Sequence, residues 1–70
     1  MSNDKMLKLI DAAAKGDIEA ARKLGEGYFK GSFGRKNLEK ALKWTRYAAK
    51  RGDEKAAELL QEIDKKASGT

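Results

Sequence analysis

"AAAKGDIEAARKL" at residues 12–24 and "AAKRGDEKAAELL" at residues 48–60 are one pattern written twice, 36 residues apart. Ala12, Ala13, Gly16, Asp17, Ala20, Ala21 and Leu24 align with Ala48, Ala49, Gly52, Asp53, Ala56, Ala57 and Leu60. Such a period belongs to arrays of helix pairs, in which no unit buries its apolar face alone. The Gly-Asp at the centre shows how the chain turns. A glycine just past a helix adopts the left-handed conformation that closes it. The aspartate after it accepts bonds from the free N–H groups of the next helix and suits its positive end. Two residues therefore stop one helix and start another, and the Ala pairs on either side let the two backbones approach closely.

Outward from these junctions the chain is expected to form one all-α domain over residues 1–70. Its four helices fall at about 4–15, 17–30, 37–51 and 53–66, with a flexible tail at 67–70. "GSFGRK" at 31–36 is the one longer loop, and Asn37 is the expected cap of the third helix. At about 100° per residue, Leu38, Ala41, Leu42, Thr45, Ala48 and Ala49 share the buried side of that helix. Trp44 lies at the boundary and is assigned to the core. In the second helix Ala20, Ala21, Leu24 and Tyr28 form one stripe, and Ile18, Gly25 and Phe29 another, as a helix between two layers requires. In the last helix Ala56, Ala57, Leu60 and Ile63 face inward and Leu59 falls off that face.

Composition removes several classes of function. The 70 residues contain no Cys, no His and no Pro. A thiolate nucleophile, an imidazole base, a disulfide framework and a Cys/His zinc site are therefore all excluded. No run approaches the roughly 20 apolar residues of a membrane span, and Asp4, Lys5, Lys8 and Asp11 interrupt the first helix where a signal peptide would be apolar. A cytoplasmic location is expected. "GEGYFKGSFG" at 25–34 matches neither a dinucleotide fingerprint nor a P-loop. Its glycines fit close helix packing at Gly25 and Gly27 and turns at Gly31 and Gly34. Asp53, Glu54 and Glu58 resemble a metal cluster only on paper, because a helix start favours acids anyway. No catalytic residue, cofactor or metal ligand is expected.

Charge is the feature that points to a partner. The net charge is +5. Residues 30–51 carry eight cations against Glu39 alone, a local +7, while residues 1–29 balance and residues 52–70 are acidic. Lys36, Lys40, Lys43, Tyr47, Lys50 and Arg51 project from the outer side of the third helix, with Arg46 beside them. These seven are the expected partner-binding residues. An acidic protein surface would meet them with electrostatic steering, and Tyr47 would serve as an anchor. Nucleic acid is the alternative for the same patch, since cations around an aromatic neutralise phosphates and stack bases. The helix's apolar side is needed for packing, so no membrane partner is expected. The chain is expected to be a monomer or weak homo-oligomer, with Phe29, Ile18 or Leu59 on an exposed end face.

The stretch "LGEGYFKGSFGRKNLEKALKWTRYAAKRGDEKAAELL" at 24–60 resembles the Sel-one-like repeat, a relative of the tetratricopeptide repeat. Leu24-Gly25, Tyr28, Gly31, Lys40-Ala41, Trp44, Ala48-Ala49, Gly52-Asp53 and Ala56 carry the likeness. Residues 4–15 look like the second helix of a preceding unit. The resemblance implies a right-handed α/α superhelix, here a four-helix solenoid fragment, and a role as adaptor or scaffold without catalytic residues. The family's loop commonly runs Gly-x-Gly-Val. Here it runs Gly31-Ser32-Phe33-Gly34, which makes Phe33 the expected apolar anchor. With fewer than two units, the surface suits a small stand-alone adaptor, or a regulator or inhibitor that occupies part of a larger protein.

Overall fold

The two Gly-Asp junctions fold alike. Gly16 and Gly52 take φ of 102° and 99°, a region that costs a residue with a Cβ about 1–2 kcal/mol. The N–H of Asp17 reaches back to Ala12 O at 3.0 Å and that of Asp53 to Ala48 O at 3.1 Å. Each aspartate then turns its side chain onto the next helix: Asp17 Oδ1 accepts from Ala20 N at 3.0 Å and Asp53 Oδ1 from Ala56 N at 2.9 Å. The third start is capped in the same manner by Asn37, whose Oδ1 accepts from Lys40 N at 3.0 Å.

These caps delimit four helices in a computed structural model that describes residues 4–68. They are α1 (Asp4–Ala14), α2 (Ile18–Lys30), α3 (Leu38–Lys50) and α4 (Glu54–Ser68). The fold is all-α, with no strand among the described residues. Residues 67 and 68, expected in the tail, continue α4, and residues 69–70 lie outside the described residues. α2 is the central element. It packs against α1, α3 and α4, and α3 also packs against α4, whereas α1 touches α2 alone.

The core is built mostly from alanine. Ala13, Ala20, Ala21, Ala41, Ala48 and Ala56 are buried, joined by Leu24, Tyr28, Leu59 and Ile63. Side chains this small let helix axes approach, and the closest approach is at Gly25. A Cβ there would overlap Thr45 Oγ1 and stand 3.1 Å from Thr45 N. Thr45 is itself fully buried, and its hydroxyl has no hydrogen-bond partner among the described residues. Its role is to fill the space above a glycine. Phe33 anchors the 31–36 loop. Its ring lies over Gly27 and meets Tyr28 edge-on, with centroids 5.4 Å apart, while the N–H of Asn37 donates to Tyr28 O at 2.9 Å.

Several burial expectations are corrected. Leu59 is buried at 8% exposure, while Leu60 is only half-buried and Ala57 is exposed. α4 has a single covered stripe, Ala56, Leu59 and Ile63, because no helix lies beyond it among the described residues. Leu38 is 40% exposed, since it stands in the first turn of α3 at the edge of the contact with α2. Ile18 and Phe29 are half-buried, so they and Leu59 do not make the exposed end face. Among the described residues, the large apolar side chains left to solvent are Leu7, at 57%, and Leu38.

One charged cluster ties the layers together. Arg22 on α2 is largely enclosed; its Nη1 donates to Glu26 Oε2 at 2.8 Å and its Nε to Asp53 Oδ2 at 3.1 Å. Glu19 stands 3.6 Å away on the same helix. Burial works against the guanidinium's charge. The hydrogen bond and charge of Glu26, joined by those of Asp53, outweigh it and hold Arg22 above its ordinary range. The same Asp53 that caps α4 is thereby bound to α2.

Candidate partner-docking surface

The inner side of α3 is occupied by Ala41, Thr45 and Ala48, all fully buried. That rotation of the helix turns Lys43, Arg46 and Lys50 outward, and it leaves two aromatic rings at the border. Trp44 and Tyr47 are both half-buried and lean on the core from outside. Their rings meet edge to face, with centroids 6.1 Å apart at 67°.

Cations cover both rings. The Arg51 guanidinium lies over Tyr47, 3.7 Å from the ring centroid, and its Nη1 also donates to Tyr47 O at 3.4 Å. Lys43 Nζ stands 5.3 Å from the Trp44 centroid. The i, i+4 spacing of Tyr47 and Arg51 on one helix makes the stack local in origin, and the ring's negative face holds the cation in place. Together Lys43, Trp44, Arg46, Tyr47, Lys50 and Arg51 line a shallow concavity of about 350 Å³. Elsewhere in the fold, ion pairs engage Arg22, Lys15 and Lys23. Among the described residues no carboxylate neutralises Lys43, Arg46, Lys50 or Arg51.

Five of the seven expected binding residues therefore gather in one place: Lys43, Arg46, Tyr47, Lys50 and Arg51. Lys36 and Lys40 do not join them. Lys40 Nζ lies 5.6 Å from the Tyr28 ring centroid on α2. With Lys36 it lines a separate concavity that includes Met6, Phe33, Gly34 and Arg35. The physical reason is that helical side chains lean towards the helix N-terminus, and there the face of Tyr28 draws the ammonium away from the Tyr47 end. Tyr47, expected on the outer side of the helix, has its ring half-buried and capped by Arg51. Trp44, assigned to the core, proves to be a wall of the concavity as well. The Arg51 stack was legible from the i, i+4 spacing, but the dual position of Trp44 was not.

Of the acidic residues that suggested metal, one is engaged otherwise. Asp53 is committed to the α4 cap and to Arg22. No group of three His, Cys, Asp or Glu among the described residues is arranged to hold a metal ion, and no described helix is long and apolar enough to cross a membrane. Compared with known protein families, curated proteins and solved structures, the chain finds no match.

Proposed function

We propose that this chain is a non-catalytic protein-binding module of the Sel-one-like repeat type. In this reading it acts in the cytoplasm as a small adaptor or as a regulator or inhibitor, and it docks on an acidic surface of a larger protein through the outer side of α3. The observation that carries the proposal is the cation-covered aromatic pair. Base stacking needs an open ring face, and here Arg51 covers Tyr47 while Lys43 covers Trp44. The rings therefore serve to position cations. A guanidinium held flat against a ring keeps its N–H edge free for a carboxylate, which it binds in a two-pronged geometry. What supports the repeat reading is the recurrence of the Gly-Asp junction and the close helix approach at Gly25 and Thr45.

Trp44 is the only tryptophan of the chain, so its fluorescence reports on the site directly. Titration with poly-glutamate should change Trp44 emission in a salt-dependent way. Arg51→Ala combined with Lys43→Glu should weaken that binding about tenfold, as expected for anchors at the centre of a contact. A DNA or RNA oligonucleotide of equal charge that bound more tightly, and lost its binding in the same variant, would instead support the nucleic-acid alternative. Poly-glutamate binding unaffected by the double variant would sink the site.

A further inference from the structure

The positive charge around α3 is gathered into two clusters, one at each end of the helix. At its start Arg35, Lys36 and Lys40 line a concavity of about 590 Å³. At its end Lys43, Arg46, Lys50 and Arg51 line the one of about 350 Å³. Neither lining includes a carboxylate. Three further concavities each include at least one, with Glu26 in two of them and Glu62 in two. Glu39, the one acid of residues 30–51, lines neither basic concavity. Among the described residues no ion pair engages Arg35, Lys36 or Lys40. Both clusters therefore present their charge outward.

The two ends are built on the same device. Lys40 Nζ lies 5.6 Å from the Tyr28 ring centroid, and the Arg51 guanidinium lies 3.7 Å from that of Tyr47. A ring beneath a cation restrains it before any anion arrives, which lowers the ordering cost of binding. Tyr28 is itself buried and meets Phe33 edge-on, so the first end rests on the core as the second does.

Helix geometry relates the ends. Lys40 and Arg51 are separated by about 16 Å along the axis at about 1.5 Å per residue. Tyr47, whose ring holds Arg51, points within about 20° of the direction of Lys40 at about 100° per residue. Both clusters thus open on one side of the molecule.

We propose that the two concavities form one bivalent surface, occupied by a single acidic segment of a partner protein. Its carboxylates fall in two clusters about 16 Å apart, one for each end of α3. This rests on the docking reading given above and adds a second contact and a fixed spacing to it. Once one cluster is bound, the other meets its concavity at an effective concentration on the order of millimolar. Two weak contacts then act as one firm contact.

Two peptides test it, read by Trp44 emission. The first carries three glutamates, a spacer of about six Gly and Ser residues, and three more glutamates. Its clusters then have an r.m.s. separation of about 16 Å. The second has glutamines in place of the last three glutamates. At about 0.15 M salt, where exposed charges are screened beyond about 8 Å, the two-cluster peptide should bind about tenfold more tightly. Lengthening the spacer to about thirty residues should remove most of that gain, since effective concentration falls steeply with length. In Arg35→Gln with Lys40→Gln, both at exposed positions, the two peptides should bind within about twofold of each other. A retained helical circular dichroism spectrum shows that this variant is folded. Equal binding of the two peptides to the wild type overturns the bivalent surface and leaves docking at the Tyr47 end standing. So does a gain that survives in the variant or ignores spacer length. Failure of both peptides to bind overturns the docking reading as well. A single-stranded oligonucleotide of matched charge that binds more tightly than the two-cluster peptide, and loses this in the variant, overturns an acidic protein segment as the occupant.

Discussion

The junction at Gly16-Asp17 and the junction at Gly52-Asp53 share sequence, φ and hydrogen bonds, yet they contribute differently to the molecule. Asp17 is exposed and acts on its own helix alone. Asp53 is enclosed and holds Arg22 of α2 as well as its own helix. Downstream the divergence widens: Leu24 is sealed beneath neighbours while Leu60, at the same place in the pattern, is half open. Identical local code produces identical local geometry, and the number of packed neighbours decides how much stability each copy supplies. α2 has three helical neighbours, whereas α4 has two.

That contrast can be broken by mutation. The largest difference is expected between the two leucines. Leu24→Ala removes a side chain with no exposed surface and should cost about 3 kcal/mol, including the cavity it leaves. Leu60→Ala, at a half-covered site, should cost about 1 kcal/mol or less. Urea unfolding with a common m-value reads both, and equal losses would show that α4 is as well packed as α2.

A smaller difference separates the aspartates. Asp17→Ala should cost about 1 kcal/mol, the usual loss of a cap. Asp53→Ala should cost about 2 kcal/mol, because it also leaves Arg22 short of a partner in an enclosed setting. Asp53→Asn keeps an oxygen for Ala56 N but removes the charge, so chemical denaturation of this variant isolates the Arg22 contribution. If it matched the wild type, the cross-link would be energetically idle.

The glycines should show no difference at all. Nothing lies within 4 Å of a Cβ built at Gly16 or Gly52, so only the backbone conformation is penalised. Gly16→Ala and Gly52→Ala should each cost about 1–2 kcal/mol, and thermal melts should place them together. A clear gap between them would mean that the junctions are less alike than their φ values.

Local features were legible in the chain before any packing was known. The Gly-Asp turns, the Asn37 cap and the place of Phe33 each depend on residues within a few positions of one another. The stack of Arg51 on Tyr47 belongs to that class. What escaped was set across helices. Angular position could not rank Leu59 against Leu60, because both are apolar neighbours on one turn and the choice belongs to the helix that covers them. Nor could it separate Lys40 from Lys43, which lie on the same outer side until the Tyr28 ring, 12 residues earlier in the chain, draws one away.

By itself, then, the sequence determined the four helices, where they stop and start, and the concentration of positive charge around α3. These follow from short-range hydrogen bonding, backbone stereochemistry and the count of charged groups. Tertiary structure alone decided which copy of the repeated pattern is sealed and which is open, and how the basic residues divide between two concavities. The reason is physical: burial and cation–ring contact depend on what stands opposite a side chain, and the 36-residue pattern specifies the side chain without specifying its neighbour.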